Sequence, residues 1–201
     1  MPDRFLTEAR RAKLRRVLDK RQPDLTLVLN NIHDPHNVSA ILRSCDAFGV
    51  LGIHLYYTKE KFPALANSSS GSAKKWIDLI RHREAGAMIA ALRGQGMQIV
   101  GTGFSPAARP LMDWDFTRPT AIILGNEHRG MDPDVKVHVP DELFIPMYGM
   151  VQSLNVSVAA ATILYEAMRQ RRAAGMYDAS PIPGPRREEI YADWCKRGKD
   201  Y

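Results

Sequence analysis

The sequence predicts an α/β fold: a single domain built on a largely parallel sheet with helices on both faces. Three observations carry this. Short apolar, β-branched runs alternate with helical patterns along most of the chain. The segments after several of these runs, at 101–104, 124–130 and 146–153, stand where parallel sheets present the carboxyl ends of their strands to ligands. A late helix, expected from near Ser153 to residue 172, is apolar on nearly every side, so it needs cover on two faces.

At 201 residues the chain can bury one good core, and one domain is the default. Its 28 Lys and Arg against 22 Asp and Glu give a formal charge of +6, which favours an anionic partner, nucleic acid being the commonest. Cys45 and Cys195 are isolated in sequence and read as free thiols of a reducing compartment, so a cytoplasmic protein is expected. The opening MPDRFLTEARRAK lacks the apolar core of a secretory signal, and no run is long enough to span a bilayer, so no membrane association is expected.

Taken in order, residues 4–21 set Arg4, Arg10, Arg11, Lys13, Arg15, Arg16, Lys20 and Arg21 around a thin stripe of Phe5, Leu14, Val17 and Leu18. This helix is either a solvated face or an electrostatic arm for phosphates, and the net charge tilts the choice towards phosphates. A strand at 25–29 leads through a polar loop to a helix at 38–48 with Asn37 as its N-cap. That helix buries Val38, Ile41, Leu42, Cys45 and Phe48, and turns Arg43 outwards with Ser39 and Asp46; by the helical wheel alone Arg43 is a solvated arginine.

A second strand at 51–57 precedes a Ser-, Gly- and Lys-rich loop at 58–75, which is equally a phosphate-contacting loop or a plain linker. Then follow a strand at 76–80, a helix at 84–93 closed by Gly94 and Gly96, and strands at 98–102 and 119–124. Asp132 and Pro133 open a short helix, and a strand at 142–145 is stopped by Pro146. The next loop carries Met147, Tyr148, Met150, Val151 and Leu154 ahead of the long helix. From this stretch alone an ordinary core helix with a serine cap is the default reading; so much apolar surface in the loop weighs against it, and a ligand site in front of the first turn is the alternative. Its alanines at 159–161 would let a partner helix approach closely. Three prolines and a glycine at 180–185 then tether a last helix at 186–197.

Several chemistries lose their support. No G-x-G-x-x-G, Walker or G-x-S-x-G motif occurs, and His33 and His36 lack further ligands at metal-binding spacing, so no metal is expected.

Three stretches are specific together: NNIHDPHNVSAILRSCDAFGV (30–50), ILGNEHRGM (123–131) and IPMYGMVQSLNVSVAAATILYEAMRQRR (145–172). In order and spacing they resemble the three motifs of the SpoU branch of the SPOUT methyltransferases. The likeness extends to RQPDLT (21–26), GQGMQI (94–99) and AGMY (174–177). The resemblance implies a SPOUT domain at 23–177 with a C-terminal trefoil knot, a basic N-terminal helix at 1–22, a linker and helix at 178–201, and a homodimer with a composite active site. It further implies methyl transfer from S-adenosylmethionine to a ribose 2′-oxygen, with tRNA as partner and the guanosine at position 18 of its D-loop as target. Methylation of ribosomal RNA, an RNA-binding module without catalysis, and an enzyme acting on a small molecule are the alternatives. The short basic helix in place of an extra N-terminal domain favours tRNA; beyond residue 177 nothing aligns.

Carried over residue by residue, the resemblance assigns Thr102, Gly103, Leu124, Gly125, Ile145, Met147, Ser153 and Leu154 to the cofactor cradle. It assigns Asn37, Arg43, Glu127, Ser153 and Asn155 to a polar catalytic shell with Arg43 at its centre, which reverses the wheel's reading of that arginine. A guanidinium is a poor proton acceptor, so electrostatic stabilisation and phosphate binding are the preferred roles for Arg43, with a general-base role left open.

Overall fold

The computed structural model describes residues 6–63 and 73–198. Arg4 and Phe5 of the basic helix, and residues 64–72 of the polar loop, lie outside the described residues. The elements run α1 (Glu8–Leu18), β1 (Leu25–Asn30), α2 (Pro35–Ala47), β2 (Gly52–Tyr56), β3 (Asp78–His82), α3 (Ala85–Gly94), β4 (Gln98–Thr102), β5 (Arg109–Pro110), β6 (Thr120–Leu124), α4 (Pro133–Lys136), β7 (Glu142–Phe144), α5 (Val156–Ala173) and α6 (Gly184–Arg197).

The seven strands form one sheet in the order β3-β2-β1-β6-β4-β7-β5, and every pairing is parallel. β1 and β6 lie at its centre and are buried throughout, which is why LTLVLN and TAIIL read as unbroken runs of sheet formers. On one face Leu25, Leu27, Leu29, Ile122 and Leu124 pack against Ile41 and Leu42 of α2 and Ile163 and Leu164 of α5. On the other, Val28, Ala121 and Ile123 meet Met88, Ile89 and Leu92 of α3 and Val135 of α4. Each fully buried Leu or Ile contributes about 1.5–3 kcal/mol, so the central strands anchor both layers.

Several boundaries differ from the sequence-based expectation. α2 is capped by Asp34, whose Oδ1 accepts from His36 N at 2.8 Å, and Pro35 opens it. Asn37 therefore sits inside the helix, not at its cap, because Pro at the first position is pre-set for helix and Asp34 satisfies the first turn. α5 starts at Val156, not near Ser153: Asn155 is the cap, its Oδ1 accepting from Ser157 N at 2.8 Å, and residues 151–154 stay outside any helix or strand ahead of it. β3 begins two residues later than expected because Trp76 turns away to stack edge-on against Trp194, with ring centroids 5.5 Å apart. Ser39, expected beside Arg43 on the open side of α2, is buried, whereas Arg43 is exposed.

α1 is shorter than the basic stretch and docks on α6 through Leu14, Leu18, Ile190, Tyr191 and Trp194. The Arg15 guanidinium lies 3.8 Å from the centroid of the Tyr191 ring and pairs with Glu188 at 2.8 Å. At the other end of the core, the fully buried Arg171 of α5 donates to the Phe116 carbonyl at 2.8 Å and to Asp24 at 2.5 Å. A buried guanidinium is tolerable only with such partners, and these pin the end of α5 to the amino-terminal edge of the sheet.

α5 is covered on one side only. Ala160, Ile163, Leu164 and Ala167 are buried, while Val158 is 49% and Tyr165 56% exposed. The second cover expected from the sequence is not supplied by the described residues of this chain. β7 occupies an unusual place. It pairs with β4 on one side and β5 on the other, although β4 and β5 are joined directly through 103–108. The chain reaches β7 from α4 on one face of the sheet and leaves for α5 on the other.

Candidate active site

At the carboxyl edge of β4, β6 and β7 lies a cavity of about 420 Å3. Its walls come from Thr102–Phe104, Leu124–Glu127 and Leu143–Ile145 at the strand ends, from Met147, and from 153–156 with Ala159 and Ile163 of α5. All eight residues assigned to the cofactor cradle lie in these walls.

Two glycines shape the cavity by what they leave out. A Cβ on Gly125 would stand 2.3 Å from the Gly130 carbonyl carbon, because Asn126 and Gly130 exchange backbone hydrogen bonds at 2.9 Å and fold the loop back on itself. A Cβ on Gly103 would stand 2.3 Å from the carboxylate of Glu142, a buried side chain that accepts from Ser105 N at 3.0 Å. Backbone therefore lines these walls, leaving room and peptide groups for a ligand.

A polar chain runs along one rim. Glu127 accepts from Asn37 Nδ2 at 2.8 Å, from His33 N at 3.2 Å and from Asp34 N at 3.4 Å. Asn37 Oδ1 in turn accepts from Asn155 Nδ2 at 3.0 Å. Since the Asn155 oxygen is engaged by Ser157 N, the amide orientations along the chain are fixed by their partners. Partial burial pushes the Glu127 carboxyl up, but the bonds from Asn37, His33 and Asp34 outweigh it and hold the group below the usual carboxylate range. Glu127 is an anion at neutral pH.

Of the five residues assigned to the catalytic shell, Glu127, Ser153 and Asn155 line the cavity, and Asn37 joins Glu127 to Asn155. Arg43 does not join them. It borders a separate recess of about 300 Å3 with His36, Ser39, Ala40 and Ser44 on the outer side of α2. Six residues along a helix is a turn of roughly 240°, so a helix that points Asn37 at the cavity points Arg43 elsewhere. Residues not singled out for the site also enter it: Phe104 and Asn126 line the cavity, and Asp132 lies fully buried behind the 126–130 loop. The asparagine pair at the end of β1 was the available signal for that buried network.

A cavity at the carboxyl ends of parallel strands, walled by backbone and apolar side chains with a few polar groups on its rim, has the place and lining of a cofactor site in an α/β domain. The chain belongs to the SpoU rRNA Methylase family, whose pattern matches residues 24–165. It is 43% identical over 191 residues, 95% of this chain and 98% of the relative, to the tRNA (guanosine(18)-2′-O)-methyltransferase of Thermus thermophilus. The solved TrmH/SpoU tRNA modifying enzyme of A. aeolicus superposes with a TM-score of 0.88 at 37% identity, covering 95% of this chain and 97% of that one. The SpoU methyltransferase AviRb of Streptomyces viridochromogenes, solved in complex with the cofactor AdoMet, superposes with a TM-score of 0.62 at 29% identity over 77% of this chain and 62% of that one.

Proposed function

We propose that this protein methylates the ribose 2′-hydroxyl of the guanosine at position 18 in the D-loop of tRNA, with S-adenosylmethionine as donor. The near full-length likeness to the Thermus thermophilus enzyme supports the reaction and the substrate. The observation that carries the reading is the cavity itself, with the Glu127–Asn37–Asn155 chain on its rim.

The cavity's chemistry fits the cofactor. Leu124, Ile145 and Leu154 offer apolar walls for a flat purine, and the glycine-lined peptide groups offer polar contacts at its edge. When bound, S-adenosylmethionine supplies an electrophilic sulfonium methyl group. Glu127 orients the attacking hydroxyl by accepting its hydrogen bond, and the anion's low proton affinity makes it a weak final acceptor for the proton. The oxygen that gains negative charge needs a cation, and Arg43 of a second subunit fills that role. As the O–C bond forms and the C–S bond breaks, the proton leaves to solvent or to a substrate phosphate.

The homodimer follows from the same need. Val158 and Tyr165 on the open side of α5, with Tyr148, Met150 and Val151 in the loop before it, form exposed apolar surface suited to a second copy. A trefoil knot is supported by the position of β7 between the sequence-adjacent β4 and β5. The core at 23–177, with flanking units at 1–22 and 178–201, and a cytoplasmic location complete the reading; no helix among the described residues is long and apolar enough to cross a membrane.

The test is methyl transfer from labelled S-adenosylmethionine to unmodified tRNA transcripts, with the product mapped by nuclease digestion and mass spectrometry. A 2′-O-methylguanosine in the D-loop is expected. Label in ribosomal RNA fragments and none in tRNA would replace the substrate, and cofactor binding without transfer to either would replace the enzyme with a binding module.

A further inference from the structure

We propose that Asn31 is a positioning residue for this reaction: it holds the 126–130 loop, and Glu127 with it, against the start of α2. The inference rests on the reading of Glu127 as part of the catalytic shell.

Asn31 follows the last residue of β1 and is the one non-glycine residue with positive φ among those described, at 51°. The left-handed region is unfavourable for an ordinary side chain and less so for asparagine, so something must hold it there. Its side chain is fully buried and uses its polar atoms in two directions. Oδ1 accepts from the backbone N–H groups of Thr58, Lys59 and Glu60 at 3.0, 3.2 and 3.1 Å. Nδ2 donates to the carboxylate of Asp132. Three converging donors fix the orientation of the amide.

The backbone carbonyl of Asn31 makes the decisive bond, accepting from Asn126 Nδ2 at 2.7 Å. Asn126 Oδ1 then accepts from His128 N at 3.0 Å and Arg129 N at 3.2 Å, building the turn that carries Glu127. Asp132, at the far end of this segment, is tied to Asn30 by bonds in both directions, at 2.8 and 2.7 Å. Both flanks of Glu127 are thus anchored at the end of β1. One residue further along begins the stretch whose His33 and Asp34 N–H groups hold the Glu127 carboxylate. Asn31 therefore sets the donors and the acceptor together. A displacement of about 1 Å in such a constellation costs on the order of 100-fold in rate.

Asn31→Asp keeps an acceptor for the three N–H groups but turns a carboxylate towards Asp132. Asn126→Asp keeps the acceptor for His128 and Arg129 but turns an oxygen towards the Asn31 carbonyl. Both are compared with Glu127→Gln for kcat, KM, the pH profile of kcat, and S-adenosylhomocysteine binding by calorimetry. Tyr57, the titratable side chain that feels the Glu127 charge, and the backbone N–H groups of His33 and Asp34 that bind Glu127 are not themselves altered by either change. The expected result in both is a kcat lower by about 10- to 100-fold and an acidic limb moved to higher pH as the carboxylate loses its donors, with product affinity within about twofold in Asn31→Asp, which lies outside the cavity wall.

Full turnover in Asn31→Asp while Glu127→Gln is inactive overturns the proposal. So does a parallel fall in kcat and product affinity, which would assign Asn31 to the scaffold alone. If Asn31→Asp does not fold, Asn126→Asp decides by kcat and its pH profile alone, because Asn126 lines the cavity and its change acts on product affinity directly: an unchanged profile with full turnover overturns the proposal. Full activity in Glu127→Gln removes the catalytic reading beneath the proposal and thereby the proposal, and that failure is distinct because it needs no Asn31 variant.

Discussion

Asn155 donates its side-chain amide to the Oδ1 of Asn37 at 3.0 Å, across 118 positions of sequence, and with its own Oδ1 caps α5. One side chain thus fixes both where the long helix begins and how the rim of the cavity is polarised.

The two duties of Asn155 separate by mutation. Asn155→Asp retains the cap, since Asp and Asn cap equally well, but loses the donor to Asn37. Thermal stability close to the unaltered protein and methylation reduced by about tenfold or more are expected. Asn155→Ala loses both and should cost about 1 kcal/mol as well. Undiminished methylation by Asn155→Asp would show that the amide chain has no part in turnover.

If Arg43 serves the cavity of a second subunit, Arg43→Ala and Glu127→Gln proteins, each inactive alone, complement one another. After co-refolding, random pairing puts half the protein in mixed dimers with one intact site each, so about a quarter of the unaltered activity should return. S-adenosylhomocysteine affinity should be unchanged in Arg43→Ala. Recovery indistinguishable from zero would place both residues in the service of one chain's cavity.

Gly103→Ala should weaken cofactor binding by forcing its Cβ onto the Glu142 carboxylate, which is buried and anchored by Ser105. Overpacking of this kind costs about 1–3 kcal/mol. Calorimetry with S-adenosylhomocysteine and a denaturant titration read the two effects. Gly94→Ala, where the added methyl meets nothing within 4 Å, is the control and should leave affinity intact.

Stability should fall with acid through a pair of imidazoles far from the cavity. His54 Nδ1 lies 2.7 Å from His82 Nε2, and burial, then the neighbouring ring, push His54 down to about 4. The unfolded chain binds a proton near its ordinary value, about 6.5, so between these two values the unfolded state holds more protons and stability rises with pH. The contribution is complete above about 6.5 and is lost as pH falls towards 4, on the order of 2 kcal/mol. Unfolding of His54→Phe across this window should be the flatter of the two; identical slopes would exclude the pair as the cause.

Much of this architecture is legible in the sequence. The strand at 98–102 has the bounds expected of it, and the alternation of elements did imply a parallel sheet with helices on both faces. Misplaced starts arose where two capping side chains competed: Asp34 displaced Asn37, and Asn155 displaced Ser153. Periodicity cannot arbitrate between neighbouring caps. β5 is two residues long and has no period to read, and the insertion of β7 beside it depends on contacts between distant segments. The site residues came from motif likeness, because nothing local connects Glu127 with Asn37, 90 positions away. The same likeness could not tell which cavity Arg43 would face, since that depends on a second copy of the chain.

The insertion of β7 also sets an order of events in time. β7 pairs with β4 on one side and β5 on the other, contacts that join 101–110 to 142–144 and close only once the chain between them has folded back. Closing such distant contacts is slow compared with forming local helices. The cavity walls contributed by Leu143, Phe144 and Ile145 therefore mature with the sheet, after the local helices, as does the β1–β6 pairing at its centre. In refolding from denaturant, helical circular dichroism should return first and the capacity to bind S-adenosylhomocysteine should lag behind it. A newly made chain would accordingly pass through an interval in which its helices have formed yet it cannot hold its methyl donor.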